Sequence, residues 1–237
     1  VKMSFHKIKT LFLLGVEDLF KNMNVFVYVL MPILFALLYS NISAGNSEYL
    51  FSLCILLNIA MVPVALMGTV IAEEKEKNTL RTLMLNNVQG TEILFAKAAI
   101  CLLFVIVDNV IIYLIFDLPM SQFLPYQLIG LLVGVAVIFF GALVGLLAKN
   151  QMSAGLLSIP FMLILMAPLF ISMIGSEIAT KLSHLLPTDA MMSLFDVIAK
   201  GEFSLNTIGE PTIVILAWVV ISFVLFNIAY KRVGIDN

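Results

Sequence analysis

The chain has 237 residues, of which 62% are hydrophobic and only 12% charged, with a mean hydropathy of +1.09. Soluble domains lie near half apolar and a quarter charged, so this balance excludes an ordinary soluble domain and points to a polytopic membrane protein. At about 20 apolar residues per span the length accommodates roughly six spans, with no room for a nucleotide-binding domain.

The formal net charge of -2 decides little, because placement of charge matters more than its sum in a membrane protein. Cys54 and Cys101 both sit inside apolar runs and read as small buried hydrophobes rather than a disulfide framework. The apolar stretch from Leu11 lacks a small-residue cleavage site and leads into a further span, so a removable signal peptide is not expected.

Taken in order, residues 4–23 place Ile8, Leu11, Phe12, Val16, Leu19, Phe20 and Met23 on one helical stripe, with Lys7, Lys9, Glu17 and Lys21 largely off it. That pattern predicts an interfacial helix whose lysines reach toward anionic headgroups. A first span over 25–42 follows, kinked at Pro32, and a second over 49–72 carries Asn58 and Pro63.

Next comes a polar interruption between two apolar runs, 73–90. It opens on Glu73-Glu74-Lys75-Glu76-Lys77, after which Leu80, Leu83, Met84, Asn87 and Val88 fall on one stripe. The spacing predicts an amphipathic helix with an acidic start, ended at Gly90. Thr91 and Glu92 then read as the cap and first turn of a third span over 92–116, which contains Asp108 and Asn109.

A fourth span over 127–148 carries Gly130, Gly134, Gly141 and Gly145, a small-residue seam of the kind that lets helix backbones approach closely. Lys149-Asn150-Gln151 forms a tight turn, and a fifth span over 153–174 is interrupted by Pro160 and Pro168. Residues 176–200 predict two short amphipathic helices, the second opened by Thr188-Asp189 and closed by Lys200-Gly201. A sixth span over 212–230 ends at Lys231-Arg232. With the N-terminus inside, Lys2, Lys7, Lys9, Lys21, Lys75, Lys77, Arg81, Lys97, Lys149, Lys231 and Arg232 are cytoplasmic, against Lys181 and Lys200 outside. The positive-inside rule therefore places both termini and the 73–90 segment in the cytoplasm of a multi-pass protein of the cell membrane.

The wording of 73–97 is itself informative. Glu-Lys-Glu-Lys-Asn-Thr-Leu-Arg-Thr-Leu, followed by Thr91-Glu92-Ile93-Leu94 and Lys97, resembles the coupling helix of ABC-2-type exporter permeases, where the pattern runs roughly E-K-E-x-G-T-L-x-x-L, a short turn, then E-I-L-x-x-K. Asn78 stands where Gly is usual and Asn86-Asn87 where a Ser-Pro pair is common. The order of elements over nearly the whole chain also fits, including an N-terminal elbow helix and the proline-led Leu186-Pro187-Thr188-Asp189 before the last span. The resemblance implies an all-α permease, a single domain over 1–237 working as a homo- or heterodimer around a central path. It further implies ATP-driven export, with ATP and Mg bound by a separate cytoplasmic ABC ATPase. Small permeases of this kind often serve peptide, bacteriocin or drug export and immunity. An amphipathic or peptide-like cargo is expected, and no nucleic-acid partner.

On this reading the ATPase interface consists of Glu73, Glu74, Glu76, Leu80, Arg81, Leu83 and Met84, charges steering and the apolar stripe filling a groove. There is no G-x-x-x-x-G-K-[ST] phosphate loop in the chain, and His6 and His184 lie too far apart in topology to share a metal. Glu73-Glu74 lacks the arginine of an E-E-x-x-x-R intramembrane protease. Substrate-path candidates are Asn58, Asp108 and Asn109, since an intramembrane ionisable residue is a functional candidate by default. At 1.5 Å per residue Asn58 and Asp108 lie roughly 4 and 5 Å outward of the middle of their spans, so a structural contact between them is the competing expectation. An ion- or proton-coupled secondary transporter titrating Asp108 is the alternative function, although such a protein would want more intramembrane charge and an inverted repeat.

Overall fold

The computed structural model describes residues 5–42, 47–77, 79, 88–174, 177–201 and 204–233. All regular structure among them is helical: α1 (Phe5–Lys21), α2 (Met23–Ser40), α3 (Ser47–Glu76), α4 (Gly90–Ile115), α5 (Met120–Leu147), α6 (Gln151–Leu165), α7 (Ala167–Ile174), α8 (Glu177–Ser183), α9 (Pro187–Lys200) and α10 (Leu205–Val233). Among the described residues four stretches are long and apolar enough to cross a membrane, namely Ser47–Glu76, Gly90–Ile115, Met120–Leu147 and Thr207–Arg232. The apolar stretches Phe26–Ser40 and Gln151–Leu165 are shorter. At 15 residues, α6 is roughly 22 Å long, less than a hydrocarbon core of about 30 Å.

Helix α3 is the axis of the bundle. Leu56, Ile59, Ala60, Val62, Val64, Ala65 and Leu66 on it are all fully buried. A helix apolar on every face is stable only when it is surrounded, and here α2, α4, α5 and α6 pack around it. By contrast α10 is largely exposed and touches the bundle through α5 and α9. At one end of α3, Phe51 meets Tyr113 and Tyr126 edge-on at ring-centroid distances of 5.6 and 5.0 Å, and stacks on Phe195 of α9 at 5.9 Å.

The helix boundaries differ from the hydropathy pattern in four places. Helix α3 continues through Glu76, so Glu73, Glu74 and Glu76 form its last turn instead of opening a separate helix. Helices α5 and α10 begin well before 127 and 212 and carry Pro125 and Pro211 inside them. The fifth apolar stretch breaks at Met166: Leu169 N turns back to Met166 O at 3.1 Å, which deprives Leu165 O of its i+4 donor. Fully buried Thr188 then donates to that carbonyl at 2.7 Å, locking the start of α9 onto the break. Helix α9 itself has Pro187 in its first turn and ends on Gly201 at φ 70°, in the left-handed region that glycine reaches without strain. Residues 80–87, including Leu80, Arg81, Leu83 and Met84, lie outside the described residues.

Candidate functional site

Four consecutive residues at the end of α3 point in four directions, because successive helical residues are turned by about 100°. Each reaches a different element. Glu73 accepts from Asn22 Nδ2 at 3.0 Å, at the corner between α1 and α2, and pairs with Lys77 at 2.5 Å. The hydrogen bond to Glu73 holds the Lys77 ammonium above the usual lysine range. Glu74 Oε1 lies 2.7 Å from Lys97 Nζ on α4, and Thr79 Oγ1 donates to its other oxygen. Lys75 Nζ donates to Leu146 O at 2.7 Å and Ala148 O at 2.6 Å, with Gly145 O farther off at 3.4 Å. Glu76 accepts from Gln151 N at 3.0 Å.

The last two bonds fit the fields they meet. A lysine ammonium at the C-terminal carbonyls of α5 and a carboxylate at the N-terminus of α6 each oppose the local helix dipole. Between them, Lys75 and Glu76 hold the α5–α6 turn, whose Asn150 caps α6 by accepting from Ser153 N at 2.8 Å. On the α4 side, Gln89 N donates to Glu92 Oε2 at 3.0 Å, fixing the start of the helix that presents Lys97.

Lysine 75 reaches those carbonyls because α3 and α5 lie very close. A Cβ on Gly141 would sit 2.3 Å from Pro63 O, and one on Gly145 2.6 Å from Ile71 Cβ. Gly130 is as tight against Asn109 Nδ2, at 2.7 Å. Gly134 is looser, its nearest neighbour being Val105 Cγ1 at 3.4 Å.

In the middle of the bundle the expected Asn58–Asp108 contact is replaced by another. Asn58 Nδ2 donates to Asn109 Oδ1 at 2.8 Å and to Val105 O at 3.2 Å. One residue along α4 is a rotation of about 100°, enough to exchange one neighbour for the next. Asp108 is fully buried, and neither carboxylate oxygen has a hydrogen-bond partner among the described residues.

A family model described as an ABC-2 family transporter protein matches residues 21–229. The chain belongs to the ABC-2 transporter family. No curated protein matches it. Within an ABC-2 permease the tie between Glu74 and Lys97 takes on particular interest, since these residues stand at the two ends of the motif that spans 73–97. The expectation assigned Glu73, Glu74 and Glu76 to a partner's surface, yet all three carboxylates are engaged within the ABC-2 chain. Lys75, Lys97, Asn22 and Gln151 are not among the site residues expected from the sequence, although Lys75 and Lys97 belong to the motif over 73–97. A signal for Lys97 was present, as a lysine within the first turns of an apolar run needs a partner.

Proposed function

We propose that the chain is the membrane permease subunit of an ATP-driven exporter, in which the end of α3 transmits the movement of a cytoplasmic ATPase to the spans. The observation that supports this reading is the four-way attachment of Glu73, Glu74, Lys75 and Glu76. A displacement of the segment that follows them would be felt together at the α1–α2 corner, at α4, and at the α5–α6 turn. In this reading Leu80, Arg81, Leu83 and Met84 meet the ATPase, which holds ATP and Mg, while Glu73, Glu74 and Glu76 join that contact to the bundle. The shorter α2, and α6 continued by α7, complete six spans. Two permease chains enclose a path along which an amphipathic or peptide-like cargo moves outward, and the Lys and Arg distribution puts both termini in the cytoplasm.

The isolated carboxyl of Asp108 favours a second reading, a proton- or ion-coupled secondary transporter. Transport in proteoliposomes separates the two. The exporter reading expects strict dependence on ATP hydrolysis by the partner, and expects Leu80→Asp with Leu83→Asp to abolish co-purification with the ATPase while membrane insertion persists. Transport driven by a proton gradient without ATP contradicts it and supports the second reading.

A further inference from the structure

At the end of α3 opposite Glu73–Glu76 lies a cavity of about 610 Å³, lined by Glu48, Tyr49, Ser52, Tyr126, Phe195 and Asp196 together with a few smaller contacts. Its inner wall is aromatic and fixed: Tyr126 and Phe195 are 3% and 1% exposed, and their rings meet edge-on with centroids 4.8 Å apart. Among the described residues its only charged lining residues are the two acids. Glu48 forms no ion pair among the described residues. Asp196 is paired at 2.6 Å with Lys200, but both side chains are more than half exposed, and such a surface pair is weak enough for a better-placed cation to displace.

We propose that this cavity binds an organic cation, an ammonium or guanidinium group carried on an apolar body. The volume suits a drug-sized ligand or one bulky side chain. Two carboxylates at the rim attract the positive group, and the half-exposed Tyr49 ring beside them receives its apolar portion. An anion would meet two negative charges, the neighbouring Lys200 being already paired with Asp196, and a bare metal ion would leave the Tyr49 ring unused. A soluble cation and the ammonium headgroup of a lipid share this chemistry. The exporter reading is needed only to say that the cavity opens on the outer side. Binding to the isolated chain does not depend on that reading, so failure of one leaves the other standing.

The test is calorimetric titration of the full chain, purified in dodecyl maltoside micelles, with benzyltrimethylammonium and, as an anion of similar shape, benzoate. Saturable binding of the cation alone is expected. Glu48→Gln combined with Asp196→Asn should weaken it about tenfold or more, with the melting temperature unchanged because both side chains are exposed. Competition by nanodiscs containing phosphatidylcholine assigns the site to a lipid headgroup, and lack of competition assigns it to a soluble cation. The proposal is overturned if the cation gives no saturable binding, if benzoate binds as well, or if the double variant binds benzyltrimethylammonium as tightly as the parent chain.

Discussion

Lys97 Nζ lies 2.7 Å from Glu74 Oε1, with the two side chains only 10% and 16% exposed, and this pair closes the chain across the segment that leaves α3 and returns as α4. A charge pair so little hydrated is costly to break on one side only, because the remaining charge stays where water cannot reach it. Glu74→Gln or Lys97→Met should each lower stability by about 1–3 kcal/mol, less than the roughly 3–5 kcal/mol of a fully buried pair because some water remains. Removing both should cost less than the sum, and thermal or denaturant unfolding of the four proteins in one detergent measures the difference.

Lys75 donates to the last carbonyls of α5, which have no helical donor of their own. Lys75→Met leaves those carbonyls unsatisfied, and a loss of about 1–2 kcal/mol is expected. Hydrogen exchange at the α5–α6 turn should accelerate while the middle of α3 stays protected. Uniform protection in both places would assign Lys75 no part in holding the turn.

The glycines divide by what surrounds them. Gly141→Ala places a methyl 2.3 Å from the Pro63 carbonyl and must push α3 and α5 apart, whereas Gly134→Ala meets Val105 at 3.4 Å, where the side chain can yield. The first substitution should lower the yield of monodisperse protein and the second should be nearly silent. Equal behaviour of the two in size-exclusion chromatography after extraction would contradict the packing described.

Asn58 and Asn109 form a hydrogen bond across α3 and α4, and Asn58→Leu should cost about 1 kcal/mol by orphaning the Asn109 oxygen. Asp108 should behave in the opposite way. A fully buried carboxyl with no hydrogen-bond partner among the described residues opposes folding, so Asp108→Leu is expected to hold or raise the melting temperature. If the carboxyl is retained for transport, the same variant transports poorly. Full transport combined with unchanged stability would leave Asp108 without a role.

How much of this was legible beforehand depends on whether a feature is local. Pro187 and Gly201 mark the ends of α9 because first-turn proline and left-handed glycine are properties of one turn. The central place of α3 is less visible, since an apolar run reads alike whether it faces protein or lipid. Pattern reading stops at Pro125 and Pro211, but bundle neighbours let membrane helices run through proline. The polar run at 73–77 reads by itself as the start of a new helix, because charge is expected to face water. It is the last turn of α3, with its charges turned to Asn22, Lys97, the end of α5 and the start of α6. No spacing rule within one segment reveals partners so distant in sequence. The choice of Asn109 over Asp108 by Asn58 rests on helix rotation, which hydropathy does not encode.

The central claim, that the end of α3 couples an ATPase to the spans, is tested most directly by a charge exchange. In the complex reconstituted with its ATPase, transport and ATP hydrolysis should be measured together for Glu74→Lys, Lys97→Glu and the double exchange. Each single variant should uncouple the two, hydrolysing ATP with little transport, and the double exchange should restore much of the coupling. Normal coupling in both single variants, with the complex intact, would contradict the account.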